Sequence, residues 1–490
     1  MTYGSVPLER IDLRSLDRIE RCPPARKSGS RLPTAHLDRW KVIRDATVEW
    51  HHSGMPQDAD QVRRIEDAFF GTWDPVQRRV LEDLFAAYRR LFPPDPESVD
   101  LEPLAGTALH LPTNRSITVG VQVEAVVGDE PLALRLKTGR AVTSVEEAAA
   151  FYQPDETRTL VDIRLAADDL VTVPRPDDPQ SIVDQVALRW DRAQAMPATQ
   201  RVAGFHCHGC DRPARCGQYP VVGEGSVRVW TRTLAVSKSR LADHSRCVRS
   251  AAWPVVYGIP RDDGDEDAHD SPNRVVGNEF HRSVAAALLS DDPGEVYESA
   301  YGSVSPSEVE DLRWLFDQHE ALWSTERHPV TPSRTEYQFG ATFVVDGVNL
   351  DRRDRLIDEQ VAVTFMAATD VNGWEDSDVA AVVEHRTGNT STALAHEADL
   401  YAVSAWHALA GIRREASAVA VHFHHLRADP ARCDREFYTP EEIAAAEERL
   451  RSVATSIARL HPADALSPTY SVGPWCDWCE WQGRCLPFRV

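Results

Sequence analysis

The spacing Cys-x2-Cys-x5-Cys occurs twice in this chain, at Cys207, Cys210 and Cys216 and again at Cys476, Cys479 and Cys485. Each triplet has one lone cysteine far upstream in a similar setting, Cys22 in LDRIERCP and Cys247 in SRLADHSRCVR. Eight of the nine cysteines thus fall into two sets of four, and Cys433 is left over. Four thiolates are what an iron–sulfur cluster or a structural zinc requires, and ligand chemistry permits either. Each set ties the start of a long stretch of chain to its end, so the repeat predicts a duplication. The halves, 1–225 and 226–490, each have an ordinary domain's length.

With 42% hydrophobic residues, a mean hydropathy of −0.39 and no apolar run of membrane-spanning length, a soluble protein away from the membrane is expected. The start, MTYGSVPLERIDLRS, has no apolar stretch of the secretory kind, which predicts a cytoplasmic location. Reducing conditions there disfavour disulfides, and paired Cys-x-x-Cys reads as metal binding. The net charge of −22 argues against a basic protein that coats nucleic acid, although it leaves room for a local groove. Only four of the 54 basic residues are lysine: Lys27, Lys41, Lys137 and Lys238.

The first half reads as helices at LPTAHLDRWKVIRDATVEWHH and DPVQRRVLEDLFAAYRRLF, then strands at RSITVGVQVEAVVG and PLALRLKTG with a turn at Gly128-Asp129. A strand, TRTLVDIRLA, a helix, SIVDQVALRWDRAQAM, and the first triplet close it. The second half repeats the order. After Cys247 and an acidic, solvated loop come helices at NEFHRSVAAALL and SEVEDLRWLFDQHEALW and strands at EYQFGATFVVDGVNLD and VAAVVEHRTG. A helix (AHEADLYAVSAWHALAG), a strand (SAVAVHFHHL) and a helix (PEEIAAAEERLRSVATSIARL) then lead to the last triplet. Mixed strands flanked by helices predict the α/β class, with the join near 217–236.

Within the second half, His281, Asp351, Glu384, Glu397 and Tyr401 fall in an order that suggests chemistry. Asp351 ends one strand segment and Glu384 another, so neighbouring strands could bring both carboxylates to one ion, with His281 reaching in from a helix. Two hard oxygen ligands and an imidazole suit Mg²⁺ or Mn²⁺. Such an ion activates water and takes up charge in phosphate hydrolysis.

These residues resemble the RecB-like branch of the PD-(D/E)XK nucleases, above all its iron–sulfur subgroup, which includes the exonucleases of CRISPR adaptation and the nuclease domain of the AddB subunit. Gly277 to His281 matches the family's Gly-x-x-x-His, and Asp351, Arg352 and Asp354 match its Gly-x-x-Asp-Arg-x-Asp approximately. Glu384, His385, Arg386, Thr387 and Gly388 match Asp/Glu-x-Lys-Thr-Gly, and Glu397 with Tyr401 matches Gln-x-x-x-Tyr. The resemblance covers about residues 237–490. It implies metal ligands His281, Asp351 and Glu384, catalytic roles for Arg386, Glu397 and Tyr401, and cluster ligands Cys247, Cys476, Cys479 and Cys485. By repetition, Cys22, Cys207, Cys210 and Cys216 would hold a second cluster, giving two [4Fe–4S] groups or, alternatively, two zincs.

The implied architecture is two tandem restriction-endonuclease-like domains, each a mixed central sheet flanked by helices and closed by a four-cysteine cluster. The implied function is metal-dependent cleavage of DNA, single-stranded or with free ends, beside a helicase or other subunit in repair, recombination or defence. Two departures favour the alternative of an inactive DNA-binding scaffold subunit. Arg386 replaces a lysine and cannot be deprotonated, and Glu397 replaces a glutamine. The first half keeps Lys137, Thr138 and Gly139 but has Arg135 at the acid's position and Val123 at the aspartate's, so no metal pair is expected there. Trp475, Trp478 and Trp481 either shield the second cluster or pack a core. His422 and His424 share one face of a strand expected to be partly exposed.

Overall fold

The computed structural model describes, with short interruptions, residues 34–196, 218–248 and 272–460, together with scattered positions between 9 and 22. Six of the eight paired cysteines, Cys207, Cys210, Cys216, Cys476, Cys479 and Cys485, lie outside the described residues, as do Asp354 and the three C-terminal tryptophans. The chain divides into two compact units, Met1–Arg201 with Tyr257–Pro260, and Val202–Val256 with Arg261–Val490.

In the first unit, helices α1 (Thr34–His52), α2 (Ala59–Phe70) and α3 (Pro75–Leu91) precede all the strands but the first. A three-stranded sheet holds β1 (Glu9–Ile11), β3 (Thr107–Leu111) and β4 (Arg115–Val119). A five-stranded sheet runs β2 (Ser98–Asp100), β5 (Val123–Val127), β6 (Glu130–Lys137), β7 (Thr159–Arg164) and β8 (Asp169–Thr172). The segment read as one strand, RSITVGVQVEAVVG, is therefore two strands in different sheets. The expected turn is present: Gly128, at φ 58°, adopts the left-handed conformation that a tight hairpin between β5 and β6 needs. β6 and β7 pair in parallel, and the crossover between them is α4 (Val145–Phe151). Helix α5 (Pro179–Ala195) follows β8.

The second unit is built on one six-stranded mixed sheet. Strands β10 (Val330–Arg352), β11 (Arg355–Glu375), β12 (Val379–Arg386), β13 (Ala418–His425) and β14 (Arg432–Tyr438) lie in sequence order, and β9 (Arg232–Ser237) joins β11 in parallel. Helix α6 (Lys238–Arg246) follows β9 directly, with the Ser237 side chain capping its first turn. Helices α7 (Pro272–Ala287), α8 (Pro293–Tyr301) and α9 (Val309–Trp323) precede the hairpin β10–β11. Helix α10 (Glu397–Gly411) makes the crossover from β12 to its parallel partner β13, and α11 (Pro440–Ala458) follows β14.

The alternation of β12 shows how the helices cover both faces. Ala380 and Val382 belong to the large core with α10 and α11, whereas Ala381 and Val383 pack with Leu288 and Trp323 on the other face. All eight residues of β13 are buried, because it has a strand on each side and helices above and below. The expectation of a partly exposed histidine strand is thereby overturned: His422, His424 and His425 are 1%, 0% and 4% exposed. His422 Nε2 lies 2.6 Å from Glu375. The leftover cysteine, Cys433, places its Sγ 3.5 Å from His422 Nδ1, and burial pushes its thiol up to about 11.

Candidate active site

The antiparallel ladder between β11 and β12 stops at Val371–Val383. The next rung brings Asp370 beside Glu384. With no ladder bond to receive it, the amide of His385 donates to Asp370 Oδ2 at 2.5 Å. Asp370 Oδ1 holds His281 Nδ1 at 2.7 Å, so α7 is tied to the end of the sheet through one carboxylate. Burial alone would depress His281, but Asp370 outweighs it and raises the imidazolium above its ordinary range. Against its own burial, the same contact holds Asp370 well below the usual carboxylate range.

The expected partner of Glu384 was Asp351, and the structure corrects this. The reading from sequence drew β10 and β12 but not the strand between them. Asp351 sits near the tip of the β10–β11 hairpin, opposite Leu356, fourteen residues along β11 from Asp370. At about 3.3 Å per residue the backbone of Leu356 is roughly 45 Å from the site along that strand, and Asp351 with it. The carboxylate that shares the site with Glu384 is Asp370.

Glu384 faces the helices α6 and α10. Its Oε2 accepts from the Tyr401 hydroxyl at 2.7 Å and its Oε1 from the ammonium of Lys238. Lys238 also donates to the Tyr401 oxygen at 2.7 Å and lies 3.1 Å from Glu397 Oε1. Burial works against this cation, yet Glu384 and Glu397 keep it protonated above its ordinary range. Arg386, two residues on from Glu384 and on the same face, pairs with Glu397 Oε2 and stacks over Phe423, its guanidinium carbon 4.8 Å from the ring centre. Tyr401 belongs to core and site at once, its ring 5.8 Å from that of Phe339. Lys238 was noted in the sequence only as one of four lysines, although its place just after a strand-end serine was the available signal.

His281, Asp370 and His385 offer ligand atoms that all lie within 4.8 Å of one another. Among the described residues, His385 Nε2 is buried without a hydrogen-bond partner. The unpartnered nitrogen, the imidazole–carboxylate pair and the adjacent Glu384 form a donor set that fits a divalent cation. Gly277 lets this assembly close: a Cβ there would stand 3.0 Å from Thr387 Oγ1, and His281 lies one helical turn further on.

In the first unit the corresponding strand end holds no metal group among the described residues. The ladder β5–β6 ends at Val123–Leu134, and just beyond it the Gln122 amide donates to Leu134 O at 3.0 Å. Gln122 Oε1 accepts from Leu136 N at 2.7 Å, as Asp370 accepts from His385. Gln122 thus makes the side-chain-to-backbone contact that Asp370 makes in the second unit. Arg135 donates to Thr143 Oγ1 at 2.7 Å and to Glu147 at 3.0 Å, and Lys137 lies 3.3 Å from the fully buried Asp162.

His281, Asp370 and His385, gathered at one end of a mixed sheet beside Glu384, are a group that could hold a metal ion, the arrangement a metal-dependent hydrolase requires. The family model for the PD-(D/E)XK nuclease superfamily matches residues 235–486, just over half of the chain, and the chain belongs to that superfamily. No curated protein matches it. Among solved structures it is similar to the crystal structure of SSO0001, at 12% identity and a TM-score of 0.24, over 54% of this chain and 90% of that one. No described helix is long and apolar enough to cross a membrane.

Proposed function

We propose that the second unit hydrolyses DNA phosphodiesters with Mg²⁺ or Mn²⁺, held by His281, Asp370 and Glu384 with His385 beside them. The observation that carries this reading is the convergence of His281 and Asp370 on the rung that also holds Glu384. A divalent ion there supplies acidity to an attacking water and takes up the charge that builds on the phosphate. The chain's own part is orientation: Asp370 fixes the His281 ring, and Tyr401 and Lys238 fix the Glu384 carboxylate. Each Glu384 oxygen receives one hydrogen bond and keeps a lone pair for a ligand. The rival reading, a DNA-binding subunit without cleavage, draws on the Arg386–Glu397 pair, which leaves Arg386 committed. Degradation of linear and circular DNA, single- and double-stranded, with Mg²⁺ or Mn²⁺ against a chelator control separates the two. Binding without degradation would sink the nuclease reading.

We further propose that the first unit is a second copy of the same fold with its acids replaced. The shared order of antiparallel, parallel and antiparallel pairing in β5–β8 and in β11–β14 supports this. The two cysteine sets would hold [4Fe–4S] clusters or zinc, and among them Cys22 and Cys247 are half-buried and outside any disulfide. Elemental analysis after anaerobic purification decides: about eight irons per chain is expected for two clusters. Two zincs without iron would replace the clusters with structural zinc, and neither metal would remove both assignments. A role beside a helicase in repair, recombination or defence belongs to the same reading, and co-purification with a helicase subunit tests it.

A further inference from the structure

The second-unit site has three carboxylates close together, Asp370, Glu384 and Glu397, and hydrolysis would bring a phosphodiester whose negative charge grows during reaction. Two described cations touch this group. Arg386 is engaged by Glu397 below it and by the Phe423 ring beside it. The other is Lys238, which comes from outside the β12 segment, on the first turn of α6, a helix fixed at that point by its Ser237 cap. Its ammonium has three protons and three partners, Glu384, Glu397 and Tyr401, drawn from two different elements. A charge held on three sides costs little reorganisation when negative charge develops nearby, the condition under which a fixed cation contributes most.

We propose that Lys238 is the fixed cation of this site: held by Glu384, Glu397 and Tyr401, it supplies the positive charge for the cleavage step that Arg386, bound to Glu397 and stacked on Phe423, does not supply. This rests on the nuclease reading above. Lys238→Met should lower kcat for linear DNA at least ~100-fold, the scale for loss of one preorganised electrostatic group. The KM for DNA should change by less than about threefold, since a group serving the reaction step is lost rather than one serving binding. Mn²⁺ affinity, read by calorimetry, should be unchanged or tighter, because a positive charge beside the ion's ligands has been removed. Lys238→Arg should retain at least ~10-fold more activity than the methionine variant, since it keeps the charge.

A Lys238→Met protein that cleaves at the parent rate overturns the assignment. So does one that loses Mn²⁺ binding, which would make Lys238 a brace for the ligands, and so does an arginine variant no better than methionine. If the methionine variant does not fold, Lys238→Gln, which retains hydrogen bonding without charge, gives the same comparison. A parent that degrades no DNA overturns the nuclease reading and this inference together. An active parent with an unaffected Lys238 variant overturns this inference alone.

Discussion

Two strand ends in this chain share a geometry and differ in charge. At the end of β12 an acid, Glu384, stands opposite an acid, Asp370, and the cations come from elsewhere, Lys238 from α6 and Arg386 from two residues on. Past the last rung of β6 stands a cation, Arg135, with a neutral amide, Gln122, bonding the backbone of the next residue, and its acid comes from the crossover helix as Glu147. The backbone device is the same in both: a side-chain oxygen takes the amide left over where the ladder ends. Glu147 and Phe151 in α4 keep the same four-residue spacing as Glu397 and Tyr401 in α10. One end thus concentrates negative charge around an open nitrogen, whereas the other satisfies its charges internally. The first arrangement suits a cation, and the second is a stable buried network.

That contrast is broken most sharply by exchanging activity for stability. Glu384→Ala or Asp370→Ala should reduce metal-dependent DNA degradation by roughly 10³-fold or more, since each removes a ligand oxygen from the ion that activates water. Gln122→Ala and Asp351→Ala should leave it at the parent level in the same assay. A loss of cleavage in Asp351→Ala would return that residue to the site. The next effect is on folding: Asp162→Ala strips Lys137 of its buried partner and Thr143 of two acceptor contacts. It should cost roughly 3–5 kcal/mol in urea unfolding, the range for breaking a buried pair on one side. Glu384→Ala leaves Lys238 still paired with Glu397 and should cost visibly less.

The smallest expected effects lie in acid stability. Burial and then the neighbouring His52 lower His51 in α1 from 6.5 to about 4, and it pairs with the Tyr88 hydroxyl. The folded form binds the proton more weakly, so the stability is complete above pH 6.5 and is lost as pH falls toward 4. About 2 kcal/mol is expected after allowing for partial exposure. In the second unit, burial would raise Asp399, but Arg449 and His396 hold it down from 3.8 to about 2. Its contribution, also about 2 kcal/mol, persists through that upper window and is lost only as pH falls from near 4 toward 2. Unfolding of His51→Gln and Arg449→Ala variants across pH should flatten the two windows separately. Loss of both in one window would contradict the assignment.

Much of the architecture was legible because helices and buried strands write their periods plainly: Thr34–His52, Pro75–Leu91 and Pro440–Ala458 all fall where the sequence placed helices. His281 and Glu384 were singled out through the residues around them, and the structure sets both beside Asp370. β11 was missed because a 21-residue strand that serves two neighbours in turn carries no single alternation. Its loss misassigned the aspartate, since Asp351-Arg352 satisfied a local pattern while the hairpin register that selects Asp370 could not be drawn. That register was available in the short connection from Glu375 to Val379, which sets Val371 against Val383. Lys238 escaped because its partners lie 146 and 163 residues away, and a pairing across such separations leaves no local trace.

The contact between Gly277 and Thr387 makes two distant positions share a single volume. A methyl group added at 277 would meet the Thr387 hydroxyl at 3.0 Å, so the threonine would have to give way by a few tenths of an ångström. Across descendants of this fold, therefore, the two sites should drift as a pair: where 277 gains bulk, 387 should shrink. A library randomised at both, and selected for cleavage, should recover combinations of roughly constant summed size rather than independent preferences.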